Sequence, residues 1–168
     1  MKAVAVVGNP RPASRTADAA QILARALGSE SVELIELAEL GAGLLGWGDP
    51  AVAEARQKVR DADLAVIASP TFKATYSGLL KLFLDQFEGQ SGMAGLTVIP
   101  LMLGAGEAHA LAPDLLLKPV LVELGATCPT AGLYLLDSDY AEGARLQGWL
   151  QQWAAVARRS AEARESPS

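Results

Sequence analysis

The sequence predicts a doubly wound α/β fold: a five-stranded parallel sheet in the order 2-1-3-4-5 with helices on both faces. Three observations predict it. Short, uniformly apolar runs alternate with stretches of helical spacing, the signature of buried parallel strands and their crossovers. Those crossovers are right-handed, so the helices cover both faces of the sheet. The most unusual loops follow the first, third and fourth strands, and in such sheets ligands sit beyond the strand carboxyl ends where the strand order reverses.

Each element has its own warrant. Lys2–Gly8 (KAVAVVG) is an apolar, valine-rich run closed by glycine and reads as a strand buried on both faces. From Arg15 to Leu27 the residues Ala19, Ile22, Leu23, Ala26 and Leu27 fall at helical spacing. Ser31–Leu37 alternates and reads as the second strand. Leu40–Pro50 is a glycine-rich loop, with Asp49 as N-cap and Pro50 opening the helix Ala51–Arg60. Asp63–Ser69 is the third strand, Pro70–Ser77 a polar loop, and Gly78–Phe87 a helix through Leu79, Leu80, Phe83 and Leu84. Leu96–Leu103 is the fourth strand, which admits Pro100 only near an end or a bulge. Ala108–Leu124 reads as one helix with Pro113 in its first turn. Thr130–Leu136 is the fifth strand, and Tyr140–Arg164 a last helix with Leu146, Leu150, Trp153 and Ala157 on one face. Residues 1–164 contain no linker or repeat and are expected to form one domain, with 165–168 a frayed tail.

Composition narrows the function. The chain has 168 residues, 51% apolar and 20% charged, enough to bury a core. No apolar run reaches the roughly 18 residues that cross a bilayer, and the apolar start is too short for a signal peptide, so a cytoplasmic location is expected. A single cysteine, Cys128, excludes a disulfide framework and multi-cysteine metal sites. A single histidine, His109, excludes a His-rich metal centre. With 14 basic and 19 acidic residues, net −5, the chain is a poor binder of nucleic acid.

After the first strand comes Gly8-Asn9-Pro10-Arg11-Pro12-Ala13-Ser14-Arg15-Thr16. Ser14 can cap the following helix, whose free N–H groups and dipole favour an anion. Two hydroxyls, an amide and two guanidiniums within eight residues fit a phosphate. The bland alternative is a capped turn with two solvated arginines. After the third strand, Ser69-Pro70-Thr71-Phe72-Lys73-Ala74-Thr75-Tyr76-Ser77-Gly78 can present backbone N–H groups and an aromatic edge to a flat heteroaromatic ligand. Its alternative is a loop whose Phe72 and Tyr76 cover the core. After the fourth strand, Gly104-Ala105-Gly106 lets a ring approach the backbone.

Other features carry less. Gly41-Ala42-Gly43-Leu44-Leu45-Gly46 spells a dinucleotide fingerprint but neither follows a strand directly nor opens a helix. His109 reads as a capping or packing residue, and Cys128 as a small buried hydrophobe. Asp85 either bonds a loop backbone or faces solvent.

Together, Gly8-Asn9-Pro10-Arg11-x-x-Ser14-Arg15-Thr16, Ser69 to Lys81 with Asp85, and Ala108-His109-Ala110-Leu111-Ala112 with Asp114, Leu117, Lys118, Pro119, Val120 and Leu121 resemble the NAD(P)H-dependent FMN reductases of flavodoxin-like fold. The resemblance runs from Met1 to about Asp139 and is strongest to the branch that supplies reduced flavin to alkanesulfonate monooxygenases. It implies FMN and NAD(P)H as cofactors. Asn9, Arg11, Ser14, Arg15 and Thr16 would hold the FMN phosphate; Pro70, Thr71, Phe72 and Lys73 would border the isoalloxazine, with Gly104 and Gly106 on its other side. Hydride would pass from nicotinamide C4 to flavin N5 between stacked rings, with no catalytic side chain and no metal. N–H groups of the Thr71–Lys73 loop would stabilise charge at the flavin N1/O2 edge. Asn9 stands where serine is more usual, and Ala105 where a second glycine is common. Leu115 stands where some relatives carry an aromatic residue linked to a helix irregularity and flavin release.

The implied partners are flavin, nicotinamide and a flavin-dependent monooxygenase, with no nucleic acid and no membrane. Relatives are often dimers or tetramers, and the apolar Leu79, Leu80, Leu82, Phe83, Leu84 and Phe87 point to a homo-oligomer through helices Gly78–Phe87 and Ala108–Leu124. Two readings compete: a quinone or azo reductase with tightly bound FMN, and a non-catalytic FMN-binding electron carrier.

Overall fold

In the computed structural model, which describes residues 1–164, the apolar runs become the inner strands of a five-stranded parallel sheet ordered β2-β1-β3-β4-β5. The strands are β1 (Ala3–Val7), β2 (Val32–Glu36), β3 (Leu64–Pro70), β4 (Thr97–Gly104) and β5 (Leu133–Leu136). The helices are α1 (Arg15–Ala26), α2 (Pro50–Arg60), α3 (Gly78–Leu84), α4 (Lys118–Glu123) and α5 (Ala144–Glu162). The tail expected at 165–168 lies outside the described residues.

Strand residues alternate between two cores. Val4, Val6, Ala65, Ile67, Val98 and Met102 face the layer of α2, α3 and α4. Ala3, Ala5, Val7, Leu64, Val66 and Ala68 face α1 and α5. On that side α1 offers Ala17, Ala19, Ala20 and Ala24, small enough for its backbone to lie close on the sheet. β2 is an edge strand: Ile35 turns to the first core, whereas Val32 packs on the second. Leu34 and Glu36 share the face of Val32 by the period of two.

Pro100 departs from the expectation that it would lie near a strand end or a bulge. It sits within β4, opposite Ile67 of β3. Val98 donates to Thr127 across β4's other side, so residue 100, two further on, points its nitrogen the same way. There the β5 ladder begins only at Leu101↔Leu133, so no strand bond is missing at Pro100.

The helix expected over Ala108–Leu124 is three pieces. Glu107–His109 is a 3₁₀ turn, Pro113–Leu117 is π-helical, and α4 follows. The reason is Pro113 and Pro119, whose missing N–H groups interrupt the α-helical ladder; Lys118 N–H reaches back five residues to Pro113 O. The Lys118 Nζ–Asp114 Oδ1 pair (2.9 Å) and the bond from Gly132 N–H to the same oxygen (2.9 Å) brace this bulge. It exists with Leu115 in place of an aromatic residue. Smaller shifts occur at Leu37–Leu45, where 3₁₀ turns kinked at Gly41 replace an irregular loop, and at α5, which starts after Gly143 instead of at Tyr140.

Candidate functional site

The carboxyl ends of β1, β3 and β4 meet through a buried hydroxyl pair. Ser69 Oγ, at the end of β3, accepts the Ser77 N–H at 2.9 Å. Ser77 Oγ caps α3 by accepting the Leu80 N–H at 3.1 Å and donates to the carbonyl of Gly8, at the end of β1. Both serines are buried. Gly8 is required here, because a Cβ would lie 2.5 Å from Leu80 Cβ.

From Gly8 the chain enters the first loop. Asn9 Oδ1 accepts the Arg11 N–H at 2.9 Å, and its Nδ2 donates to Thr16 Oγ1 at 3.2 Å. Ser14 caps α1 as expected, accepting the Ala17 N–H at 3.2 Å. Among the described residues the N–H groups of Ser14, Arg15 and Thr16 are left without partners, and neither Arg11 nor Arg15 forms an ion pair. Both arginines are exposed, whereas Ser14 and Thr16 are buried. Asn9, Arg11, Ser14, Arg15 and Thr16 line one open cleft with Pro70, Phe72 and Asp137, about 570 Å³ in volume and within the usual range for ligand pockets.

The loop after β3 is a tight turn. Phe72 and Thr75 exchange backbone bonds of 2.8 and 3.2 Å around Lys73 (φ 49°) and Ala74 (φ 74°). Two consecutive left-handed residues that are not glycine store strain of about 1–3 kcal/mol each. This turn revises one expectation. The Thr71 N–H is taken by Leu103 O at 2.7 Å and the Phe72 N–H by Thr75 O, which leaves only Lys73 of the three free to meet a ligand. The Thr71 hydroxyl oxygen is buried with no partner.

The glycines after β4 divide. A Cβ on Gly104 would lie 2.1 Å from the Tyr134 hydroxyl, which donates to Gly106 O at 2.7 Å. Gly104 therefore makes room for Tyr134, and Gly106, with open space where its Cβ would be, is the one that leaves clearance.

Other candidates fall elsewhere. His109 neither caps nor packs in the core: it is exposed at the end of its 3₁₀ turn, because no helix starts at Ala108. Cys128 packs partly buried against the core, and that burial pushes its thiol up to about 11. Asp85 pairs with Lys81 on the surface (2.6 Å). Sequence reasoning missed Asp137 in the cleft and Glu36, whose Oε1 accepts the Ala13 N–H at 2.8 Å. Both arrive at strand ends distant in sequence from the loop, and no local motif signals them.

The family described as NADPH-dependent FMN reductase matches residues 1–141. The chain belongs to this family. It is an oxidoreductase whose cofactors are FMN and NAD(P)H. It is 32% identical over 144 residues to an FMN reductase (NADPH) of Escherichia coli K12, covering 83% of this chain and 75% of that protein. It is 33% identical over 150 residues to the NADH-dependent FMN reductase SfnF of Pseudomonas fluorescens Pf0-1, covering 84% and 80%. In structure it superposes on an oxidoreductase of Corynebacterium diphtheriae with a TM-score of 0.81 and 26% identity, covering all of this chain and 99% of that one. The cleft fits the phosphate of FMN, with unpaired guanidiniums and free N–H groups; of the residues expected at the ring, Pro70 and Phe72 line it, and Thr71, Lys73, Gly104 and Gly106 do not.

Proposed function

We propose that this FMN reductase holds FMN in the cleft at the carboxyl ends of β1, β3 and β4, and passes it on, reduced, to a flavin-dependent monooxygenase. The observation that carries the reading is the pair of arginines without ion-pair partners beside the first-turn N–H groups of α1 that the Ser14 cap leaves free. Arg11, Arg15, Ser14 and Thr16 bind the phosphate, and Asn9 fixes the loop by bonding both Arg11 N–H and the Thr16 hydroxyl. Pro70, Thr71, Phe72 and Lys73 border the flavin ring, the last through its free N–H and ammonium. Gly104 contributes through Tyr134, and Gly106 leaves the ring its clearance.

When bound, FMN supplies the redox chemistry by taking two electrons from NAD(P)H. The chain's own work is orientation and electrostatics, so no side chain need act as acid, base or nucleophile. The name of the relative SfnF, a flavin reductase, supports a role in flavin supply. A cytoplasmic location is part of the proposal; among the described residues no helix is long and apolar enough to cross a membrane.

We also propose a homo-oligomer, with its contact narrowed to the second of the two segments first expected, Ala108–Leu124. Of the first segment, Gly78–Phe87, the residues Leu80, Phe83, Leu84 and Phe87 are buried within the chain, and of its large apolar residues only Leu82 is exposed. Leu111, Leu115, Leu116 and Val122, on and around the π-helical segment, form a run of exposed apolar residues. The test of the activity is anaerobic NAD(P)H oxidation with and without added FMN. Oxidation that rises in proportion to added FMN supports the reading, and oxidation indifferent to FMN refutes it.

A further inference from the structure

Within the first loop, one backbone donor is already occupied by an anion belonging to the chain. Glu36 is the last residue of β2, in register with Val7, and it lies on the sheet face that α1 covers. That placement carries its side chain alongside the loop leaving β1, where Oε1 accepts the Ala13 N–H at 2.8 Å. Ala13 has φ 50°, a left-handed conformation that alanine holds only under constraint. Although Arg11 and Arg15 belong to the same loop, Glu36 pairs with neither. The loop thus contains a fixed carboxylate and two uncommitted guanidiniums.

We infer that Glu36 sets the affinity for phosphate-bearing flavins by placing a fixed negative charge in the loop that receives the phosphate. The inference rests on the proposed FMN site. The carboxylate repels the incoming phosphate, while its bond to the Ala13 N–H keeps the loop ordered. A flavin without a phosphate meets no such repulsion. Binding is therefore weaker than the arginines alone would give, which suits an enzyme that must release the flavin it reduces.

The test is fluorescence titration of the wild type, Glu36→Gln and Glu36→Ala with FMN and with riboflavin, each variant first shown to share the wild-type circular dichroism spectrum. Gln keeps an acceptor for Ala13 and removes the charge. Glu36→Gln should bind FMN about tenfold tighter, with riboflavin within about twofold of wild type. Glu36→Ala, which also loses the acceptor, should gain less. If the wild type prefers FMN but Glu36→Gln binds it no tighter, Glu36 merely orders the loop: the inference fails and the proposed site stands. If the wild type shows no preference for FMN, both fall.

Discussion

At the amino end of the sheet, Lys58 reaches Glu33 at 2.8 Å and Glu54 at 3.2 Å in an open groove between β1, β2 and α2. Hydrogen bonds to Glu33 and then Glu54 raise the Lys58 pKa, and Asp61 in the same groove accepts from Gln57 at 2.8 Å. At the carboxyl end, Arg11, Arg15 and Lys73 form no ion pair among the described residues, and Lys73 and Ala74 hold left-handed backbone. Both ends carry a cleft and charged side chains. They differ in what those charges already hold: one set is spent on the chain's own carboxylates, the other is left for something else. Strain, unpaired charge and an orphan hydroxyl converge at the same end of the sheet, as expected of a ligand site.

The largest effect should come from removing the unpaired charges. Arg11→Ala with Arg15→Ala should weaken FMN binding about a hundredfold, since hydrogen bonds to charged groups contribute about 1.5–3 kcal/mol each. Lys58→Ala, at the other end, should leave FMN affinity unchanged. A titration in which Lys58→Ala matters as much would erase the distinction between the two ends.

Next is the junction beneath the site. Gly8→Ala should cost about 1–3 kcal/mol of stability in urea unfolding, because its Cβ meets Leu80. Gly148→Ala, on α5 with open space around it, should instead stabilise by about 0.5–1 kcal/mol. Of similar size is Ala74→Gly. At φ 74° it relieves roughly 1–2 kcal/mol of left-handed strain and gives back about 0.5–1 kcal/mol in backbone entropy. The net gain should be about 0.5–1 kcal/mol; a loss would show that the turn is not strained.

The smallest effect concerns the cysteine. Cys128→Ser should keep kcat within about twofold, since no nucleophile is needed. Burial disfavours the thiolate and lifts the pKa to about 11, so the thiol stays protonated at pH 8. Its alkylation by iodoacetamide there should be about a hundredfold slower than that of free cysteine. Fast alkylation would place a reactive thiol in the molecule.

The strand order was legible because each inner strand is an uninterrupted apolar run, and such runs have few ways to stack. The loop proposed for the phosphate was legible as a candidate because its cap, hydroxyls and arginines lie within a single stretch of chain. What lay hidden is set by topology or backbone detail. Glu36 reaches Ala13 only because β2 pairs with β1, and Asp137 lines the cleft only because β5 ends beside β4. The left-handed Lys73-Ala74 turn has no glycine or asparagine to announce it, and it is what withdraws the Phe72 N–H from ligand duty. The broken helix is the exception: Pro113 and Pro119 both stand in the sequence, and the second is incompatible with an unbroken α-helix over Ala108–Leu124.

The central claim is that the carboxyl-end cleft recognises the phosphate of FMN. The direct measurement is a pair of fluorescence-quenching titrations of the unmodified protein, one with FMN and one with riboflavin, in the same low-salt buffer. Loss of two charge-assisted bonds predicts that FMN binds about a hundredfold tighter or more. Equal affinities would contradict the account and reduce the loop to a capped turn with two solvated arginines.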